Sequence, residues 1–253
     1  MSQFKNLVFE GGGVKGIAYV GAIKVLSEEN ILPSIERVAG TSAGAITAAL
    51  LAIGADESQI RSILQNADFE SFMDGCCPSN IIRIFRKYGW YKGDAFSEWM
   101  KEQIGTISGN PDITFNQLGE QAKANPQKYR QLHVVGTNLT TQRTEEFSAH
   151  DTPNTKIWEA VRLSMSIPLF FASVKYNNGT CVDGGISWNY PIDIFDDKKY
   201  VSQPDNTLLF KVPSYTRYHD NHVYNMETLG FRVDTKDEIA AEIKSWALPH
   251  RKI

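Results

Sequence analysis

A chain of 253 residues with 42% hydrophobic and 22% charged side chains has an ordinary globular composition and is long enough to bury a core without staples. With 26 basic against 29 acidic residues the formal charge is -3, so no global basic field points to nucleic acid. Its three cysteines, Cys76, Cys77 and Cys181, include an adjacent pair and leave an odd count. That is no disulfide framework, and it points to a reducing compartment. The start lacks a secretory apolar core, and no run of about 18 apolar residues spans a membrane. The expected location is therefore cytoplasmic with peripheral membrane contact, and a protein exported without an N-terminal signal would read the same way.

Asn6 to Glu10 is a short apolar run that opens into Gly11-Gly12-Gly13, the pattern of a buried strand entering a glycine-rich turn. A helix is expected from Val14 to about Glu29, with Val14, Ala18, Gly21, Ala22 and Val25 on one face toward a sheet. Arg37-Val38-Ala39 reads as a second strand. Ala43 to Ile53 is apolar almost all round and reads as a buried helix. From Asp56 to about Asn125 the pattern is helical, broken by Gly and Pro. Strands are expected at Leu132–Thr137, Glu145–Ser148, Thr180–Val182 and Thr207–Val212. Helices are expected at Thr155–Leu163 and Glu238–Trp246. Strands alternating with helices favour an α/β fold with a largely parallel sheet covered on both faces.

Three motifs carry chemistry. Gly40-Thr41-Ser42-Ala43-Gly44 matches G-x-S-x-G between a strand and an apolar helix, where a sharp turn lifts a serine hydroxyl clear of the sheet. A capped strand-to-helix turn would share those letters. Gly11-Gly12-Gly13-Val14-Lys15-Gly16 offers backbone N–H groups at a helix start, suited to an anion or to the oxyanion of an ester under attack. The same glycines satisfy the dinucleotide fingerprint, but the second strand ends without the carboxylate that would hold a ribose. Asp183-Gly184-Gly185 places an aspartate at a strand end facing a crevice, although alone it is more often only a turn.

These motifs, in this order, resemble the patatin-like phospholipases. Tyr91-Lys92-Gly93-Asp94, Thr114-Phe115, Thr137-Asn138-Leu139, Ser164 to Pro168 with Phe170-Phe171, and Asn189 with Pro191 follow the family's order more weakly. The resemblance covers about residues 5–215. It implies a patatin-like three-layer α/β/α sandwich with a mainly parallel central sheet. It also implies a Ser42–Asp183 catalytic dyad with an oxyanion hole from Gly11, Gly12 and Gly13, and no metal or other cofactor. The implied activity is hydrolysis of lipid carboxylic esters, of the phospholipase A or lysophospholipase type. Lys15 occupies the family's basic position in the loop, where it favours a substrate phosphate or supports the loop. Residues 1–215 then form the catalytic domain, and 216–253 an extension packed on it. Expected partners are a lipid substrate, a membrane surface and a protein activator.

Two further features are weighed. His219, His222 and His250 follow Asp183 in sequence, the order a Ser-His-Asp enzyme would need, but none lies in a motif. Residues 81–91 mix large apolar side chains with Arg83, Arg86 and Lys87. They read first as an ordinary helix packed by its apolar face, and they also suit an anionic membrane surface. The rival to hydrolysis is a module that holds a phosphate-bearing ligand without turning it over.

Overall fold

A computed structural model describes residues 3–74, 89–203, 207–208 and 221–240. Cys76, Cys77, Arg83, Arg86, Lys87, His219, His250 and most of the expected late strand and closing helix lie outside these residues. Strand β1 (Asn6–Phe9) leads through a 3-10 turn (Gly13–Ala18) into α1 (Tyr19–Glu28). Then come β2 (Arg37–Thr41), α2 (Ala43–Ala52) and α3 (Glu57–Gln65). The later strands are β3 (Gly89–Tyr91), β4 (Gln131–Asn138), β5 (Arg143–Phe147), β6 (Leu169–Phe171), β7 (Val174–Tyr176) and β8 (Gly179–Asp183). They end with β9 (Thr207–Leu208), β10 (Tyr224–Asn225) and β11 (Thr228–Phe231). Helices Asp94–Ser108, Phe115–Ala124 and Ile157–Ser164 lie between them.

The central sheet is parallel through β11, β1, β2 and β4, and antiparallel where β5 and β8 join β4 and β7 joins β8. Period-two alternation sorts the strand side chains between its two faces. Leu7, Phe9, Val38 and Val134 enter the main core beneath the helices. Val8, Ala39 and Val135 enter a smaller cluster with Ile194 and Phe195. Among the described residues this second face is covered by the short turns Ile192–Phe195 and Lys198–Tyr200.

One expected face is reversed. Tyr19, Val20, Ile23 and Leu26 are buried, while Val14 is 68% and Val25 55% exposed. The expected residues do share one side, since Ala18 and Gly21 are exposed with Val14 and Val25, but the larger Tyr19, Val20, Ile23 and Leu26 bury more apolar surface and take the core.

Helix α2 crosses the sheet at backbone contact. A Cβ at Gly44 would stand 2.3 Å from the Phe9 carbonyl oxygen and 2.6 Å from that of Glu10, and one at Gly40 would stand 2.3 Å from the Gly44 oxygen. The obstructing atoms are backbone and cannot rotate away. Gly44→Ala is therefore expected to destabilise the fold by about 3 kcal/mol, read as a lower urea midpoint.

Candidate active site

Ser42 stands at the junction of β2 and α2 with φ 54° and ψ -123°. A side chain at positive φ is held there only by its surroundings. Two bonds do the holding on the backbone side. The Ser42 N–H donates to Ser164 Oγ (2.8 Å), and Ser164 Oγ donates to the Val135 carbonyl (2.6 Å).

Asp183 reaches Ser42 through the sheet register. Val134 and Val135 of β4 pair with β5 on one edge and with β2 on the other. Gly136 to Asn138 pair with β5 and with β8. A strand has two edges, so β2 and β8 must share the one that β5 leaves. Thr41 pairs with Val135, and Asp183 pairs with Gly136, the next residue along. The parallel and antiparallel strands meet end to end, bringing the two candidate catalytic residues together.

Both are buried, Ser42 at 4% and Asp183 at 5% exposure. Asp183 Oδ1 accepts the Gly185 N–H (2.7 Å), while Oδ2 is buried without a partner. The Ser42 hydroxyl contacts Met165 Sδ at 3.6 Å, a weak thioether acceptor. It also lies near enough to stabilise the charged Asp183, so rotation toward Oδ2 gives both groups a better partner. Burial pushes the Asp183 carboxyl up to about 6, against the opposing pull of the Ser42 hydroxyl and the Gly185 N–H.

The glycine loop lies against Ser42: a Cβ at Gly11 would stand 3.1 Å from Ser42 Cβ. The Gly11 N–H is already committed to the Asn189 carbonyl (3.0 Å). Gly12 and Gly13 donate to no described residue, and Gly13, at φ +54°, faces open space. Donor capacity for an oxyanion thus rests with Gly12 and Gly13. Lys15 Nζ is 3.7 Å from Glu238 Oε2, both half-exposed, which ties the loop to the segment 236–240.

Of the residues that hold the site, Asn189 and Ser166 stand in the sequence as weaker agreements with the family's order, without a role, and Arg162 is not singled out at all. Asn189 Nδ2 donates to the Gly11 carbonyl (3.1 Å) and to Glu10 Oε1 (3.2 Å), lacing the glycine loop to the Asp183 turn. Arg162, 6% exposed, donates to the carbonyls of Lys92, Gly93 and Ala172 and to Ser166 Oγ. Burial draws its pKa down to about 10, with Asp74 and Asp94 opposing. Ser166 in turn accepts the Asp183 N–H (3.0 Å). The Tyr91-Lys92-Gly93-Asp94 segment is therefore one wall of an arginine clamp behind the acid. An arginine amid the apolar residues of its helix gave no signal of that role.

No described histidine bonds to Ser42 or Asp183. His133 pairs with Glu146 (2.7 Å) beneath the second face, His150 with Asp151 at the surface, and the backbone of His222 forms an isolated antiparallel β-bridge with that of Asp197. No described cluster of His, Cys, Asp and Glu could hold a metal, and no described helix is long and apolar enough to cross a membrane.

The family model for patatin-like phospholipases matches residues 7–196, and the chain belongs to that family. Protein R571 of Acanthamoeba polyphaga mimivirus, uncharacterized, is 34% identical over 197 residues, 78% of this chain and 63% of its own length. The probable lipid hydrolase 463L of invertebrate iridescent virus 6 is 27% identical over 212 residues, 80% of this chain and 68% of its own. In fold, VipD of Legionella pneumophila superposes with a TM-score of 0.57 at 22% identity, over 73% of this chain and 46% of that one. The chain thus spans about two thirds or less of these relatives.

Asp183 generates a paired expectation. A folded carboxyl raised from 3.8 to about 6 binds its proton more tightly than the unfolded chain does. The stability it contributes is present below about pH 4 and lost as pH rises through 6, a cost on the order of 3 kcal/mol above that. Asp183→Asn should abolish turnover and yet melt at a higher temperature than the wild type at pH 8, measured by differential scanning calorimetry.

Proposed function

We propose that this chain is a lipid acyl hydrolase of the phospholipase A or lysophospholipase type, with Ser42 as nucleophile and Asp183 as base. The end-to-end meeting of β2 and β8 on one edge of β4 carries the reading. It brings to the nucleophile a buried carboxylate oxygen with no partner of its own. Ser42 Oγ attacks the ester carbonyl and passes its proton to Asp183. The N–H groups of Gly12 and Gly13 receive the negative charge on the carbonyl oxygen. The tetrahedral centre collapses, the alcohol leaves with the proton, and water repeats the steps on the acyl-enzyme. A base near 6 is ionised at neutral pH and strong enough to accept the hydroxyl proton as attack proceeds. The name of the viral relative 463L supports a lipid substrate.

The exposed apolar residues Val14 (68%) and Ile186 (59%) stand on the two loops that carry this chemistry, which suits a site working at a lipid surface. Lys15, half-exposed and 3.7 Å from Glu238, keeps donors free for a substrate phosphate.

A fluorophosphonate probe tests the reading. Labelling should occur in the wild type and vanish in Ser42→Ala. His219→Ala, His222→Ala and His250→Ala should each keep turnover on short-chain esters. A folded histidine variant as inactive as Ser42→Ala would replace the dyad with a triad. Absence of labelling, with lipid vesicles and candidate protein activators present, would favour the phosphate-binding module.

Surface contact is tested separately. The double variant Val14→Asp, Ile186→Asp should lose most vesicle co-sedimentation at any salt concentration. Replacing Arg83, Arg86 and Lys87 with Gln should weaken only low-salt binding to anionic vesicles, each residue being worth about 1 kcal/mol there.

A further inference from the structure

The family match ends at residue 196, yet residues 227–233 run along the strand that carries the glycine loop. The Glu227 carbonyl accepts the N–H groups of Lys5 (2.8 Å) and Asn6 (3.1 Å) at the start of β1, and the Phe231 carbonyl accepts that of Glu10 (3.0 Å) at its end. From Thr228 to Phe231, β11 pairs with β1 residue for residue, and Phe231 stacks on Phe9 with ring centroids 5.4 Å apart. Two residues on, the Val233 N–H donates to Glu10 Oε2 (3.0 Å). Val233 Cγ2 then stands 2.2 Å from where a Cβ of Gly12 would be.

Gly12 is the joint of the glycine loop. Its Cα connects two peptide planes, one carrying the Gly12 N–H and the other the Gly13 N–H, the two donors that no described residue takes. Three consecutive glycines have no side chains of their own to limit rotation at that joint. Gly11 is held by the Asn189 carbonyl, whereas Gly13 faces open space. The side chain that stands against the joint is Val233, from a part of the chain outside the family match.

We propose that Val233 is a positioning residue for the oxyanion loop, which makes the tail a working part of the site. The proposal rests on Ser42 as nucleophile and on Gly12 and Gly13 as oxyanion donors. With Cγ2 in place, the Gly12 Cα cannot move toward the tail, and neither peptide plane can tilt that way. Without it a hollow opens beside the joint, and both N–H groups lose their aim. Donors act on developing charge only if they are aimed before it appears. The loss therefore falls on the transition state, and on kcat rather than KM. A purely structural Val233 would influence unfolding but not turnover by the folded enzyme.

The test uses the purified full chain with Val233→Ala and Val233→Thr. Alanine keeps the N–H that binds Glu10 and removes Cγ2. Threonine keeps the branched shape, and at this half-buried position its hydroxyl can stay hydrated. On p-nitrophenyl butyrate, a soluble ester, Val233→Ala should lower kcat about tenfold and leave KM within about twofold of the wild type, less than the loss of a whole oxyanion donor. A fluorophosphonate attacked by Ser42 develops negative charge on an oxygen in the same place, so its labelling rate should fall in parallel. Val233→Thr should stay within about twofold of the wild type by both measures, since neither donor is released. Urea midpoints establish that each variant is folded under assay conditions. The proposal is overturned if Val233→Ala keeps the wild-type kcat and labelling rate, if it changes KM alone, or if Val233→Thr falls as far as Val233→Ala. A wild type that neither labels nor cleaves the ester overturns the Ser42 reading first, and the proposal with it.

Discussion

Strand β4 (Gln131–Asn138) carries two strands along a single edge, and the site depends on that economy. Parallel β2 runs out at Thr41 opposite Val135, and antiparallel β8 arrives at Asp183 opposite Gly136. Were β8 parallel, its carboxyl end would point away from Ser42. Were its register one residue off, Asp183 would turn to the other face of the sheet. Gly184 shows how tightly the two ends abut: a Cβ there would stand 2.3 Å from the Val135 oxygen and 3.0 Å from Thr41 Cγ2. The sheet thus fixes the distance between Ser42 and Asp183 through backbone hydrogen bonds, which are far stiffer than any side-chain contact at the site.

That placement is held against local cost. Ser42 occupies a positive φ, and Asp183 is ionised at neutral pH in a buried position with one oxygen unpaired. Both features are unfavourable to the fold and suited to reaction. They persist because neighbours over-determine them. Ser164 binds the Ser42 amide and β4 together, Ser166 holds the Asp183 amide, and Arg162 fixes Ser166 to the segment before helix Asp94–Ser108. Every donor and acceptor in this chain is itself buried or backbone, so little water competes for the bonds. Arg162 bonds to neither Ser42 nor Asp183, yet through Ser166 it braces the backbone of Asp183 from behind.

The parts of this arrangement visible in the sequence are those with short-range signatures. The turn at Ser42, the glycine run and the Asp183 turn are local patterns, and a strand before and an apolar helix after Gly40–Gly44 show where the turn belongs. Strand cores such as Leu132–Thr137 stand out because both faces are buried. The strands β6 and β7 are only three residues each, too short to show a period, and they went unread. The face of α1 is reversed because its small residues and its large ones each form a stripe, and only packing decides that Tyr19, Val20, Ile23 and Leu26 go inward. Ser164 and Asn189 follow the family's order, yet what they do, like what Arg162 does, was beyond reach for a different reason. Their roles depend on partners 122, 178 and 69 residues away in the chain, and a serine, an asparagine or an arginine looks the same with or without such a partner. The shared edge of β4 is likewise a property of register, which no single strand encodes.

The segment after residue 220 shows how far such long-range effects extend. Nothing in its residues suggested a place, yet β11 pairs in parallel with β1 from Asn6 to Phe9, the strand that delivers the glycine loop. Two residues beyond β11, the Val233 N–H donates to Glu10 Oε2, and its side chain packs on Gly12. Glu10 also accepts from Asn189 through its other carboxylate oxygen. One carboxylate therefore links the end of β1, the tail and the turn after Asp183. The glycine loop is confined on three sides: by Ser42 beneath Gly11, by Asn189 at its edge and by Val233 over Gly12. Confinement is what the proposed oxyanion role would require, since N–H groups stabilise developing charge only if they are already aimed when it appears. It also explains the division of labour among the glycines. Gly11 gives its N–H to Asn189 and so fixes the loop, leaving Gly12 and Gly13 with donors that no described residue takes.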